Sequence, residues 1–291
     1  MKPAAFTYHR PASLGEALAF LEQWGSDARL LAGGQSLGPM LNLRVARPAH
    51  VIDVNDLTEF AYVRDIGDSI EVGGLTRHYQ LAESATLCRH CPLVSQVART
   101  IGHYAIRQRG TLGGSLANAD PAAQLVLVAM ALDVRLTLVR RGGRREVAAK
   151  DFFQAAMTTI LAPEELLLSV RFPKFKAGEV SAYRMFNRRH GDYALVAVAA
   201  TLAVKEGCVQ GLRLALSGTS PMPQRLDAVT SPFEGRLADA AWALELATAV
   251  ASAIQPENDE RVQASYRREL AHTLTLRALT RTLEKLDGVA A

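Results

Sequence analysis

Two glycine pairs decide how this chain folds: AGGQS at residues 32–36 and TLGGSLANADP at residues 111–121. The first pair follows a short apolar run, so the sequence predicts a buried strand that ends in a tight turn. Glycines adopt positive φ angles readily and let the backbone approach a ligand, and consecutive amides in such turns form a concave nest that binds anions. The hydroxyl groups of Ser36, Thr111 and Ser115 add donors beside these amides. Two such turns suit a diphosphate, with one nest facing each phosphoryl group.

A diphosphate-linked dinucleotide is one interpretation of these turns, and a purely structural turn is the other. A glycine pair between a strand and a helix is common in proteins that bind nothing there. The sequence contains neither the G-x-x-x-x-G-K-[ST] pattern of a P-loop nor a G-x-G-x-x-G pattern at a strand–helix junction. A dinucleotide bound here would therefore need a fold other than the P-loop or Rossmann fold.

The segments around the glycine pairs predict a mixed arrangement of strands and helices. Ser13 and Glu16 form a capping box, which predicts the start of a first helix, and Asp120 followed by Pro121 predicts the start of another. The predicted helices cover residues 13–24, 77–84, 92–101 and 120–132, and the predicted strands cover 28–32, 50–54, 69–72, 134–139 and 144–148. The last two strands flank Gly142-Gly143, a typical hairpin turn.

The residue pattern of the sequence changes near residue 176. Residues 173–178 resemble a linker, and β-rich runs at 180–188, 194–204 and 208–217 follow it. Two helices, over 237–253 and 259–286, are then expected. Strands followed by helices predict a separate α+β domain, so we expect one domain over residues 1–176 and a second over 177–291.

Composition excludes several classes of protein. The chain has 291 residues, of which 49% are hydrophobic, so a sizeable core is expected and a disordered or disulfide-stapled chain is not. No apolar run approaches the roughly 18 residues of a membrane-spanning helix. A net charge of +4 is too small for the dense basic surface that binds nucleic acid. With no secretory signal pattern at the N-terminus, a cytoplasmic protein is expected.

The sequence offers no metal site and no catalytic group. Cys88 and Cys91 have metal-like spacing with His90 between them, but there is no second pair to complete four ligands, and Cys208 stands alone. A nucleophile motif of the G-x-S-x-G type is also absent. We therefore predict neither catalytic nor metal-ligating residues in this chain.

The glycine motifs in their full context resemble a known family. Residues 32–37 and 106–121 are similar to the two FAD-binding motifs of the medium subunits of molybdenum hydroxylases, of the carbon monoxide dehydrogenase and xanthine dehydrogenase type. Arg189-His190-Gly191-Asp192-Tyr193 looks like part of the family's R-x-x-D-[YW] segment, and the resemblance covers nearly the whole chain. It implies a FAD-binding domain of the PCMH/vanillyl-alcohol-oxidase type, made of two α/β subdomains. A C-terminal α+β domain of three strands and helices is expected after it.

The resemblance also implies the cofactor-binding residues. Relatives often carry an aspartate at the position of Gln124 and a lysine near Asn187, so these two contacts differ from the family pattern. Leu161 and Leu168 match positions beside the adenine, and Tyr193 matches an aromatic residue near the flavin ring, although a lone tyrosine is also typical of packing between domains. The implied FAD contacts are Ala32, Gly33, Gly34, Gln35, Ser36, Leu37, Thr111, Gly113, Gly114, Ser115, Asn118, Asp120, Gln124, Leu161, Leu168, Asn187 and Tyr193.

By this resemblance the chain is an electron-transfer subunit of a heteromeric oxidoreductase. The expected partners are a large subunit with a molybdopterin cofactor and a small subunit with two [2Fe-2S] clusters, assembled as a dimer of heterotrimers. Electrons would pass from the clusters through FAD to an external acceptor. Two alternatives are a stand-alone FAD-dependent oxidoreductase, resembling UDP-N-acetylenolpyruvoylglucosamine reductase, and a non-catalytic nucleotide-binding or scaffold protein.

Overall fold

The computed structural model describes residues 1–260 and 262–290. The first part of the chain forms a small parallel sheet. Its strands lie in the order β1-β3-β2. Ser13 caps the first helix as predicted, because its Oγ accepts from the amide of Glu16 at 3.2 Å and the Glu16 carboxylate accepts from the amide of Ala12 at 2.7 Å. The elements are β1 (Thr7–His9), α1 (Leu14–Trp24), β2 (Ala28–Leu31), α2 (Leu37–Asn42) and β3 (His50–Asp53).

A five-stranded antiparallel sheet, in the order β4-β5-β10-β6-β7, forms the second layer. The predicted hairpin is confirmed by the pairing of β6 with β7. The central strand of the sheet, β10, was not predicted. Pro173, which the sequence assigned to a linker, is the last residue of this strand. The strands are β4 (Val63–Asp65), β5 (Ser69–Gly73), β6 (Arg135–Arg140), β7 (Gly143–Ala148), the short ribbon β8 (Phe153–Ala155) and β9 (Thr158–Thr159), and β10 (Leu166–Pro173).

Short helices cover this sheet, and one of them begins later than the sequence predicts. The helix predicted to start at Asp120 begins at Gln124 instead, because the Asp120 carboxylate accepts from the amide of Ala122 at 2.9 Å in a local turn. An unpredicted helix, α7, precedes that turn. The helices are α3 (His78–Glu83), α4 (Ala85–His90), α5 (Pro92–Ala98), α6 (Tyr104–Arg109), α7 (Leu112–Asn118), α8 (Gln124–Leu132) and α9 (Ala149–Phe152).

The remaining chain forms a four-stranded antiparallel sheet and its helices. The three expected strands are present, and a fourth pairs over only two residues, which is too short for a sequence pattern. The helix expected from residue 259 begins at Ala264, and residues 261 and 291, which fall in the predicted second domain, lie outside the described residues. The elements are β11 (Val180–Phe186), β12 (Val196–Lys205), β13 (Cys208–Ser217), β14 (Gln224–Arg225), α10 (Asp227–Thr230), α11 (Ala240–Ala253) and α12 (Ala264–Ala290).

The last sheet is covered on both faces, which joins the two parts of the chain. Val196 and Val198 of β12 belong to the core beneath α11 and α12, whereas Ala197 and Ala199 belong to the core that contains α8. Helix α8 has eight buried residues among its nine because neighbours surround it. The predicted α+β architecture is therefore confirmed, and the boundary near residue 176 stays a prediction.

Candidate functional site

The first glycine turn lies where β2 ends. Gly33 is buried, Gly34 has a φ of +71°, and the turn leads into α2. The backbone amides of residues 33–36 donate to no acceptor in the described part of the chain, although Gln35 Nε2 donates to the Gly33 carbonyl at 2.9 Å. The turn therefore presents free N–H groups, and it does so at the carboxyl end of a parallel strand, where open α/β sheets commonly bind ligands.

The second glycine pair differs from the nest that the sequence predicted, because it forms the first turn of α7. Thr111 is the N-cap, and its Oγ1 accepts from the Gly114 amide at 3.1 Å. The amides of Leu112 and Gly113 donate to the carbonyls of Thr76 and Gly74 at 2.9 and 2.8 Å. Most donors of this turn are thus used by the fold. What it offers a ligand is bare backbone at the exposed Gly114, where a Cβ would meet only Thr111 Oγ1, at 2.8 Å.

A third glycine pair, Gly73-Gly74, completes the site and was missed in the sequence. A Cβ on Gly74 would lie 2.5 Å from the Leu167 carbonyl oxygen, and a Cβ on Gly113 would lie 2.8 Å from the Gly74 oxygen. The Gly74 amide donates at 2.7 Å to the carbonyl of Leu168, the predicted contact that sits at a bulge in β10. The available signal was the same as at residue 33, a strand pattern that runs straight into two glycines.

Two unpredicted polar side chains connect the first turn to the second segment. Asn55 follows β3 and donates through Nδ2 to the Ala32 carbonyl at 2.8 Å. Arg77 donates to Asn55 Oδ1 at 2.6 Å and, through its other terminal nitrogen, to the Arg109 carbonyl. Burial lowers the pKa of Arg77, and the neighbouring guanidinium of Arg109 lowers it further. Two cations beside a turn with free N–H groups make this cleft favourable for an anion.

His78 lies beneath the second segment in a dry environment. Its Nε2 is 3.1 Å from the Thr111 carbonyl, and a Cβ on Gly110 would lie 2.7 Å from its Cε1. Among the described residues Nδ1 has no hydrogen-bond partner. Burial lowers the pKa of His78 to about 4, so the ring is neutral at pH 7 and supports the turn without adding charge.

A second part of the candidate site is the loop that precedes β12. Asn187 Nδ2 donates to the Asp192 carbonyl at 3.2 Å, which closes the loop, and Gly191, at a φ of +88°, leaves room for the His103 ring. A cavity of about 480 Å³ is lined by Arg188, Arg189, Gly191, Asp192, Tyr193 and Leu195. Tyr193 is 53% exposed, and partial burial together with the charge of Asp120 raises the pKa of its hydroxyl. Asp120, predicted from a distant segment, is therefore close enough to act on Tyr193 electrostatically.

The other predicted residues occupy more peripheral positions. Asn118 ends α7, with Nδ2 3.8 Å from Met157 Sδ, and Leu161 is half-buried against the larger core. Gln124 is buried, and its Nε2 lies 3.4 Å from the Thr100 carbonyl, so the fold gives this amide its own partner. Its contact with a cofactor stays a prediction. Leu37 is the first residue of α2, directly after the free amides.

Within residues 1–260 and 262–290, no group of three histidine, cysteine or acidic side chains is placed to hold a metal. Cys88 is exposed, whereas Cys91 is buried and burial raises the pKa of its thiol to about 12. His9 Nε2 and His50 Nδ1 lie 2.9 Å apart, a pairing hidden by their separation in the sequence. No helix in the described part of the chain has the length and apolar character needed to cross a membrane.

Known proteins are similar to this chain over nearly its whole length. A family model described as "FAD binding domain in molybdopterin dehydrogenase" matches residues 4–175, and "CO dehydrogenase flavoprotein C-terminal domain" matches residues 181–282. The glyceraldehyde dehydrogenase medium chain of Sulfolobus acidocaldarius is 38% identical, over 96% of this chain and 98% of that one. The carbon monoxide dehydrogenase medium chain of Hydrogenophaga pseudoflava is 34% identical, over 96% and 97%. A solved carbon monoxide dehydrogenase from the same organism, lacking the Mo-pyranopterin moiety, superposes with a TM-score of 0.93 at 34% identity, covering 98% of this chain and 99% of the other.

Proposed function

Because the chain belongs to the family of FAD-binding medium subunits of molybdenum hydroxylases, we propose that it carries electrons through FAD between partner subunits and an external acceptor. The observation that carries this proposal is that the first turn, whose residues 33–36 have free amides, packs through Gly33 against the Arg109–Gly110 backbone. A dianionic linker fits that cleft, since the amides of residues 33–36 have no acceptor in the described part of the chain and Arg77 and Arg109 add positive charge beside them.

The residues present fit the diphosphate of FAD unequally on its two sides. The first turn supplies backbone N–H groups and the Ser36 hydroxyl. The second supplies the bare backbone at Gly114 and the hydroxyl groups of Thr111 and Ser115, because its other amides are already bonded. We therefore assign the stronger hydrogen bonding to residues 33–36 and the close approach to Gly114.

The flavin end belongs, in this proposal, at the loop that carries Tyr193. The cavity beside this residue and the exposed face of its ring suit a planar aromatic group, and Asn187 and Gly191 hold the loop in shape. Bound FAD supplies a ring that takes up electrons singly and releases them in pairs, which connects iron–sulfur clusters to a two-electron acceptor. The chain itself binds, orients and shields that ring.

The partners follow from the family. We propose a large subunit with a molybdopterin cofactor and a small subunit with two [2Fe-2S] clusters, assembled as a dimer of heterotrimers. The relatives are named medium chains of complexes that act on glyceraldehyde and on carbon monoxide, so the same kind of chain serves different substrates. This supports a substrate site on another subunit. The cytoplasmic location expected from the sequence stays a prediction.

Copurification and absorption spectroscopy test the proposal together. The tagged full-length chain, isolated from its native host, is expected to be yellow and to bring down a molybdenum-containing chain and an iron-containing chain, identified by mass spectrometry and metal analysis. A yellow chain without partners would favour the stand-alone FAD oxidoreductase. A colourless chain that shows no flavin spectrum after FAD is added and the unbound FAD is removed would leave only the nucleotide-binding or scaffold alternative.

A further inference from the structure

We propose that Arg77 and Asn55 are positioning residues that hold the two glycine segments at the separation the FAD diphosphate requires. The inference rests on the diphosphate site proposed above and adds a specific task for two side chains outside both glycine motifs.

The bridge runs without a gap from one segment to the other. The Ala32 carbonyl, directly before the Gly33 turn, accepts from Asn55 Nδ2 at 2.8 Å. Asn55 Oδ1 in turn accepts from Arg77 at 2.6 Å, and Arg77 donates onward to the Arg109 carbonyl. The bridge therefore ends on two backbone oxygens, one in each segment.

The Arg109 oxygen is also the atom that fixes how closely the segments approach. It is the atom nearest to a Cβ placed on Gly33, at 2.3 Å. Arg77 thus grips the same oxygen that touches the first turn, and any movement of this oxygen changes the cleft. A guanidinium suits this task because its planar fork offers donors in two fixed directions, which a lysine ammonium on a flexible stem does not.

Groups behind the bridge fix the orientation of Asn55. The Asp53 carboxylate accepts from the Asn55 backbone amide at 2.9 Å and from the Tyr8 hydroxyl at 2.6 Å, and it also accepts from Asn55 Nδ2. With its amide nitrogen held by Ala32 and Asp53, Asn55 must turn Oδ1 towards Arg77. The acceptor end is therefore set before any ligand binds.

The test is a double-mutant cycle on the full-length, FAD-free chain. Asn55→Ala, Arg77→Met and the double variant are titrated with FAD by fluorescence quenching, and thermal unfolding of each apo-protein is recorded. Each single variant is expected to weaken FAD binding about tenfold, and the double variant by about the same factor, because all three break one bridge. Arg99→Met is the matched control: Arg99 donates to the Ala82 carbonyl at 3.1 Å and takes no part in the bridge, so FAD affinity should stay unchanged.

Arg77→Lys separates positioning from simple charge. If Arg77 acts as a fork, lysine leaves FAD binding weakened, whereas full recovery with lysine would overturn the bridge. Losses that multiply in the double variant, or single variants within about threefold of wild type, would overturn it as well. Should Arg77→Met not fold, Asn55→Ala and Arg77→Lys still decide the matter. The site itself is checked by Gly114→Val: if this variant weakens FAD binding and the bridge variants do not, only the bridge is wrong.

Discussion

Gly33 packs so tightly against Arg109 that a Cβ on Gly33 would lie 2.3 Å from the Arg109 carbonyl oxygen and 2.8 Å from its carbon. Two backbone segments that are far apart in sequence therefore touch at the base of the proposed diphosphate site. This contact explains why the first position of the pair must be glycine, whereas Gly34 is needed for its positive φ.

Gly33→Ala is expected to destabilise the protein by about 1–3 kcal/mol, because the methyl group meets fixed backbone instead of a movable side chain. Urea unfolding of the FAD-free chain measures the change. Gly38→Ala is the matched control: Gly38 lies in α2 with nothing within 4 Å of a Cβ, so alanine should stabilise by up to about 1 kcal/mol. Equal effects of the two substitutions would show that the Gly33 contact is loose.

Gly114→Val is expected to lower FAD affinity by about tenfold or more, because its side chain projects from an exposed helix turn into the cleft. A loss of stability is also expected, since the Cβ would lie 2.8 Å from the capping hydroxyl of Thr111. FAD titration of the apo-protein gives the affinity, and urea unfolding gives the stability. Gly143→Val controls for the substitution, since a Cβ there has nothing within 4 Å and the residue begins β7. Full FAD occupancy in Gly114→Val would place the diphosphate elsewhere.

Local signals predicted much of the fold. The capping box at Ser13 and the glycine turn at Gly142-Gly143 act within a few residues, and both appear as expected. Strand β10 escaped because it is the centre of a sheet whose other strands come from distant segments, so only tertiary pairing makes residues 166–173 a strand. The helix start at Asp120 was wrong for a related reason: the Asp120 carboxylate is used in a local turn four residues before the helix begins at Gln124.

The glycine positions of the site were predicted from the motifs, whereas the side chains whose role depends on contacts between distant segments were missed. Gly33 and Gly114 were identified from the motifs, but the amides of the second motif turn out to be used by residues 74–76. Asn55 and Arg77 carry no motif at all, and only the approach of Ala32 to Arg109 gives them a role. The Tyr193–Asp120 proximity likewise arises from packing between distant segments.

Tyr193→Leu is expected to raise the fluorescence of bound FAD severalfold, if the exposed tyrosine ring stacks on the flavin and quenches it as proposed. Steady-state fluorescence of the FAD-loaded chain, at matched occupancy, is the measurement. Tyr193→Phe keeps the ring and removes the hydroxyl near Asp120, so its fluorescence should stay close to wild type. Identical fluorescence in the wild-type and Leu variants would move the flavin away from this loop.

His78 gives the FAD-free protein a defined sensitivity to acid. Burial lowers the pKa of this ring to about 4, whereas the unfolded chain has the ordinary value near 6.5. Above about pH 6.5 the His78 ring is neutral in both the folded and the unfolded chain, and its contribution to stability is complete. As the pH falls towards 4, the ring is protonated in the unfolded chain but stays neutral in the folded one, so stability is lost. The loss by pH 4.5 is expected to be about 2–3 kcal/mol.

Urea unfolding at pH 7 and pH 4.5 measures this loss of stability. His78→Gln is the comparison, because His9 and the paired carboxylates also titrate. The variant should be less stable at pH 7, since it loses the fit beneath Gly110, and should lose less stability on acidification than wild type. An equal drop in both proteins would mean that His78 is accessible to protons in the folded state and that the segment above it is not closed.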